Sequence, residues 1–200
     1  MSDDLALLTQ QTVNTIEHLQ ETADCALERM LVANQMFCET FLDEGKVLVC
    51  GNGPSAASAQ LLCNYLLHRY DMDRPALPAI NLSNNSALIS QIGVESSIND
   101  IFAKPIQALA QSRDLLVLFN HGYRTGSLVQ AIQAAHNRGL KVMAFSCQAG
   151  EDVVSLLTPE DLEIAAPGSG SRAVEAHTML VHRLCELVDR TIFGSEDPVS

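Results

Sequence analysis

Hydrophobic positions along the chain follow two alternating rhythms. Continuous apolar stretches of strand length fall at 47–50, 79–82, 115–119, 142–145 and 162–165, and helix-period segments at 56–70, 101–110 and 128–138 lie between them. Strands that are apolar at every position are buried on both faces, so the pattern predicts an α/β protein with a doubly wound, five-stranded parallel sheet in three layers. Ligands of such sheets sit at the carboxyl ends of the strands. Before the first strand, Leu5, Leu8, Val13, Ile16 and Leu19, then Ala26, Met30, Leu31, Met36, Phe37 and Phe41, carry helical spacing. The spacing predicts two helices within 1–45, packed on the domain or in an oligomer, because so many apolar positions do not stay free. The main domain is expected at 46–193, ending in a helix over 173–193, with a loose polar tail at 194–200.

Charge narrows the picture. The chain of 200 residues has a formal net charge of −12 and only three lysines, Lys46, Lys104 and Lys141. Without a concentrated basic face, direct nucleic-acid binding is not expected. Six cysteines lie scattered in apolar runs without a CxxC pair, which suits reduced core residues. The acidic start Met1-Ser2-Asp3-Asp4 and the lack of a long apolar window predict a cytoplasmic protein with no membrane contact.

Three strand ends offer candidate ligand loops. In Gly51-Asn52-Gly53-Pro54-Ser55 an apolar run turns through two glycines onto a serine expected to cap the next helix, the pattern of an anion cradle. The others are 120–127, with Asn120, Arg124 and Thr125, and 168–172, Gly-Ser-Gly-Ser-Arg. Glycine and serine also fill ordinary strand-to-helix turns, so the bland reading stands beside the functional one. Gly51-x-Gly53-x-x-Ala56 matches a dinucleotide fingerprint, but the second strand ends in Asn81-Leu82-Ser83-Asn84-Asn85, with no carboxylate for a ribose. NAD is therefore not expected.

Several motifs together resemble a known family. The Gly-Asn-Gly-x-Ser turn, Arg74-Pro75-x-x-Pro78-Ala79-Ile80, Asn99-Asp100-Ile101-Phe102 and Arg172-x-x-Glu175-x-His177 look like the sugar isomerase (SIS) domains, and among them the phosphoheptose isomerases. The resemblance runs from about Lys46 to Phe193. It implies a flavodoxin-like sheet, binding of a carbohydrate derivative such as a sugar phosphate, and a homotetramer with sites near subunit interfaces. The subfamily includes isomerases and also DiaA-type proteins, which bind the replication initiator DnaA.

Departures from the isomerase pattern set the expectation between these branches. Where the isomerases place a metal-binding His and Glu on the first helix and a Gln and a His on the last, this sequence has Leu61, Tyr65, Val174 and His182. A zinc site is not expected, and proton transfer should fail without the Glu. Zinc belongs to the isomerase alternative only. Glu175 and His182 remain as vestigial catalytic groups. Bulk replaces the phosphate loop at Asn120-His121-Gly122-Tyr123, with Arg124 either holding an anion or lying solvated. Ile192 and Phe193 match a Leu-Phe pair through which DiaA-type proteins contact the initiator, or pack back onto their own subunit. The resulting expectation is a non-catalytic protein that binds DnaA and promotes replication initiation. A sedoheptulose 7-phosphate isomerase and a sugar-phosphate sensor are the alternatives.

Overall fold

The structure is a computed structural model that describes residues 2–122 and 125–194. It begins with one helix, α1 (Ser2–Leu42), where two were expected. Residues 2–44 contain neither glycine nor proline, so nothing in the sequence breaks the helix. It stops where Glu44 turns left-handed at φ 58° and the Gly45 N–H reaches back to the Thr40 carbonyl at 2.8 Å.

The remaining chain alternates strands and helices: β1 (Val47–Gly51), α2 (Pro54–Leu67), β2 (Ala79–Asn81), α3 (Ser86–Glu95), α4 (Ala103–Leu109), β3 (Leu115–Phe119), α5 (Gly126–Asn137), β4 (Lys141–Cys147), α6 (Glu151–Val154), β5 (Leu162–Ala166) and α7 (Ser171–Phe193). All five expected strands are present, and all pair in parallel in the order β2-β1-β3-β4-β5. This is the flavodoxin-like order. Helix α3 was not read from the sequence, although Asn85 caps it by accepting from the Leu88 N–H at 3.0 Å. The tail at 194–200 lies outside the described residues except for Gly194.

Side-chain alternation along the strands builds two cores. Val47, Val49, Leu115, Val117, Phe119, Met143 and Phe145 face α1, α2 and α7, while Leu48, Cys50, Leu116, Leu118, Val142 and Ala144 face α3, α4 and α5. The strands are buried on both sides because each face carries its own helical layer. At β1 the chain reverses its direction of growth across the sheet, which places the loops after β1 and β3 side by side.

Candidate functional site

The β1–α2 loop is shaped by close backbone approach. A Cβ at Gly51 would sit 2.6 Å from the Ser55 carbonyl oxygen, so only glycine lets α2 start so near the strand. The Gly51 N–H donates to Ser83 Oγ at 3.1 Å, and that hydroxyl donates back to the Gly51 carbonyl at 2.9 Å. Gly53 holds the cap position of α2 at φ 51°, with no side-chain cap. Ser55 thus does not cap the helix as expected. It is fully buried, and its Oγ bonds His121 Nδ1 at 2.9 Å instead. Asn52 Nδ2 donates to Ser127 Oγ at 2.8 Å, tying the first loop to the start of α5.

The β3–α5 loop closes over this turn. His121 is buried, and burial lowers its pKa, so the imidazole stays neutral near neutral pH. Its carbonyl accepts from the Gly170 N–H at 2.8 Å, which brings the third glycine-rich loop into the same cluster. Asn120 is buried too. Its Oδ1 accepts from the Gly122 N–H at 2.9 Å, while its Nδ2 has no partner among the described residues. Thr125 turns its hydroxyl to Asp152 at 3.2 Å rather than capping α5. Arg124 lies outside the described residues.

Beneath the cluster, His177 is buried beside Phe119 and Phe145, with ring centroids at 5.8 and 5.9 Å. Its Nε2 donates to the Ser146 carbonyl at 3.0 Å, and desolvation pushes its pKa down to about 4. Sequence reasoning missed His121 and Ser83 as parts of the site. The signal for His121 was a polar pair, Asn120-His121, continuing directly from the all-apolar strand β3.

The second group of candidates lies elsewhere. Leu61 and Tyr65 on α2 pack half-buried against the core, and Tyr65 Oη lies 3.3 Å from His182 Nε2. Tyr70 closes the group, with its ring 5.0 Å from Tyr65 and 5.8 Å from His182. Burial, then Arg183, lowers the His182 pKa; burial, then Tyr70 and Cys185, raises that of Tyr65. Tyr65 is therefore the proton donor of the pair and His182 the neutral acceptor. Glu175 does not join them. Seven residues separate it from His182 on α7, about 10 Å along the axis, and it pairs with Arg172 at 2.9 Å. Leu61 and Val174 supply no donor atom and Tyr65 is engaged with His182, so these four positions do not fit a zinc ion. Nor do the described residues hold another cluster of three His, Cys, Asp or Glu side chains suited to a metal.

Ile192 and Phe193 are half-buried and pack against the core of their own subunit, with the Arg74 guanidinium 5.6 Å from the centre of the Phe193 ring. No described helix is long and apolar enough to cross a membrane.

With five parallel strands in flavodoxin-like order and glycine-rich loops meeting at the switch point, the fold and the site define a doubly wound α/β domain that binds its ligand at the strand ends. Residues 9–147 match the family described as SIS domain, and the chain belongs to it, in its phosphoheptose isomerase-like group. A phosphoheptose isomerase of Chromohalobacter salexigens is 40% identical over 167 residues, 83% of this chain and 85% of the relative. One of Alkalilimnicola ehrlichii is 35% identical over 188 residues, 94% of this chain and 96% of the relative. The solved structure of a phosphoheptose isomerase from Francisella tularensis matches with a TM-score of 0.89 at 30% identity, covering 94% of this chain and 98% of that one.

These relatives correct the functional expectation. Proteins that match this chain over most of its length carry the name of an enzyme, and none of these matches points to initiator binding, so the non-catalytic, DnaA-binding reading is overturned. The error came from weighing Leu61, Tyr65 and Val174 above the likeness of the whole chain.

Proposed function

We propose that the chain binds a phosphorylated sugar at the carboxyl ends of its strands and interconverts aldose and ketose forms, as the name phosphoheptose isomerase implies for its relatives. The observation that carries this reading is the meeting of three glycine-rich loops at the switch point, linked by Ser55 Oγ to His121 Nδ1 and by the Gly170 N–H to the His121 carbonyl. The phosphate would lie against the turn at Asn52 and Gly53, beside Asn120 and Thr125, where Asn120 Nδ2 is an amide donor with no partner among the described residues, while Gly51 and Ser55 shape the turn through Ser83 and His121. His182, neutral and paired with a protonated Tyr65, is the acid–base couple: the imidazole takes the proton from the carbon beside the carbonyl, and the phenol donates to the carbonyl oxygen. The imidazolium, after exchange with water, returns a proton to the former carbonyl carbon, and the hydroxyl on the carbon that lost its proton gives one back to the phenolate, so both groups are restored and the step is redox-neutral. No metal enters it, because the residues do not fit one.

Ten residues of α2 separate Ser55 from Tyr65, about 15 Å along the helix. One subunit thus holds its phosphate loops and its acid–base pair far apart, and a second copy of the chain completes the site. The test is incubation with sedoheptulose 7-phosphate in heavy water, followed by proton NMR. Appearance of the aldose heptose phosphate with deuterium at the exchanging carbon is expected. Neither product nor exchange would overturn the isomerase assignment. Ligand-induced chemical-shift changes without turnover would leave only sugar-phosphate binding.

A further inference from the structure

The outer edge of β5 is open in a way the sugar-phosphate reading does not use. β5 is the last strand of the sheet, and its ladder to β4 continues past its end through the Gln148 N–H to the Gly168 carbonyl at 2.9 Å. The Glu163 carbonyl points away from that ladder, because Arg29 Nε of α1 donates to it at 2.5 Å. Backbone groups alternate in direction along a strand, so the N–H and C=O of Ala165 face outward as well. Ala165 is exposed, and no other described group takes up these two. Among the described residues, Arg29 guards this edge and covers a single carbonyl.

A cleft of about 850 Å³ runs along the edge. Its α1 wall carries His18, Glu21 and Cys25, and its other wall carries Glu151 and Glu163. Among the described residues, neither lysine nor arginine lines it. Three carboxylates around two open backbone groups call for a ligand that brings both hydrogen-bonding backbone and positive charge. We propose that this cleft docks an extended, lysine- or arginine-bearing peptide segment of another protein, which adds to the sheet as a sixth strand. Its backbone pairs with Ala165, and its alternate side chains reach Glu21 on one side and Glu151 on the other. The tail of this chain does not suit the cleft, since 195–200 carries Glu196 and Asp197 and no basic residue. A second copy pairing here edge to edge would set the carboxylates Glu21, Glu151 and Glu163 of two clefts against each other.

The test uses a fluorescein-labelled Val-Val-Lys-Lys-Val-Val peptide, whose adjacent lysines point to opposite faces of a strand, and the full chain, read by fluorescence anisotropy. Saturable binding is expected, about tenfold weaker for a Glu21→Gln/Glu151→Gln variant, whose exposed side chains leave the fold alone. Replacing the probe's lysines with glutamates should abolish binding. Two further probes carry N-methyl groups on alternate residues, one set on each edge of the strand. One set should abolish binding and the other preserve it, because only one edge faces β5. Equal binding of the two methylated probes, equal binding of the glutamate probe, or no saturable binding at millimolar peptide would each overturn the proposal. So would a concentration-dependent rise in sedimenting mass that Glu21→Gln/Glu151→Gln removes, since it would give the cleft to a second copy.

Discussion

At the residue scale, the candidate site shows how little chemistry a glycine loop specifies by itself. Gly51 is required by the nearness of the Ser55 carbonyl, a packing demand within the chain, and Ser55 serves His121 rather than the helix end. The buried histidines have a thermodynamic consequence. His177 has a folded pKa of about 4 against 6.5 when unfolded, because burial disfavours the imidazolium. Its neutral form therefore contributes stability that is fully present above about pH 6.5 and is lost as pH falls toward about 4, where the unfolded chain takes up a proton that the folded chain does not. The loss over that window is about 3 kcal/mol. Burial shifts His121 in the same direction. Urea denaturation at pH 7.5 and pH 4.5 checks this: a His177→Phe variant should lose less stability between the two pH values than the parent, by about 2–3 kcal/mol. An identical loss would show that His177 does not titrate as its burial requires.

At the element scale, helix ends and helix contacts are held by a few charged side chains. Arg74 lies in the segment between α2 and β2, where its Nη2 donates to the Tyr65 carbonyl at 2.7 Å and its Nη1 to the Leu66 carbonyl at 3.1 Å. These are carbonyls of the last turn of α2, which have no partner inside the helix. Its Nε pairs with Asp189 of α7 at 2.7 Å, and both side chains are almost fully buried, at 1% and 5% exposure. One guanidinium thus terminates α2 and fastens it to α7. Arg74→Met should destabilise the chain by about 3–5 kcal/mol, since it leaves a buried carboxylate without its counter-charge. In chemical denaturation, adding Asp189→Leu to that variant should restore part of the loss. If the single variant cost less than about 1 kcal/mol, the pair would be only a surface contact. At the other end of α7, Arg172 bonds Gln11 Oε1 at 3.0 Å and also Thr15, stitching α7 to α1.

At the scale of the whole molecule, α1 presents an apolar face that one subunit does not cover. Leu5, Leu8, Ile16 and Leu31 are each at least 60% exposed. A stripe of that size favours closed symmetric association, and the separation of the phosphate loops from Tyr65 and His182 gives a second copy a chemical role. We expect a homo-oligomer, with a tetramer as the proposed form. Sedimentation at micromolar concentration should give a mass above that of one chain, and Leu5→Ser/Leu8→Ser/Ile16→Ser should reduce it while the far-ultraviolet spectrum stays helical. A parent protein sedimenting as a monomer would remove the basis for the shared site.

The sequence alone determined the five strands, the two-sided burial of the sheet and the family, because each rests on local periodicity or on motifs read in order along the chain. It also showed Leu61, Tyr65 and Val174 in place of metal ligands. The same local logic failed where a breaker was absent, as in α1, and where a serine had a better partner than the helix end, as at Ser55. Only the tertiary structure decided the strand order, the pairing of Ser55 with His121 across 66 residues and of Arg74 with Asp189 across 115, and the open edge of β5. Such contacts depend on which groups are brought together and desolvated when the layers close, and no spacing along the chain records that.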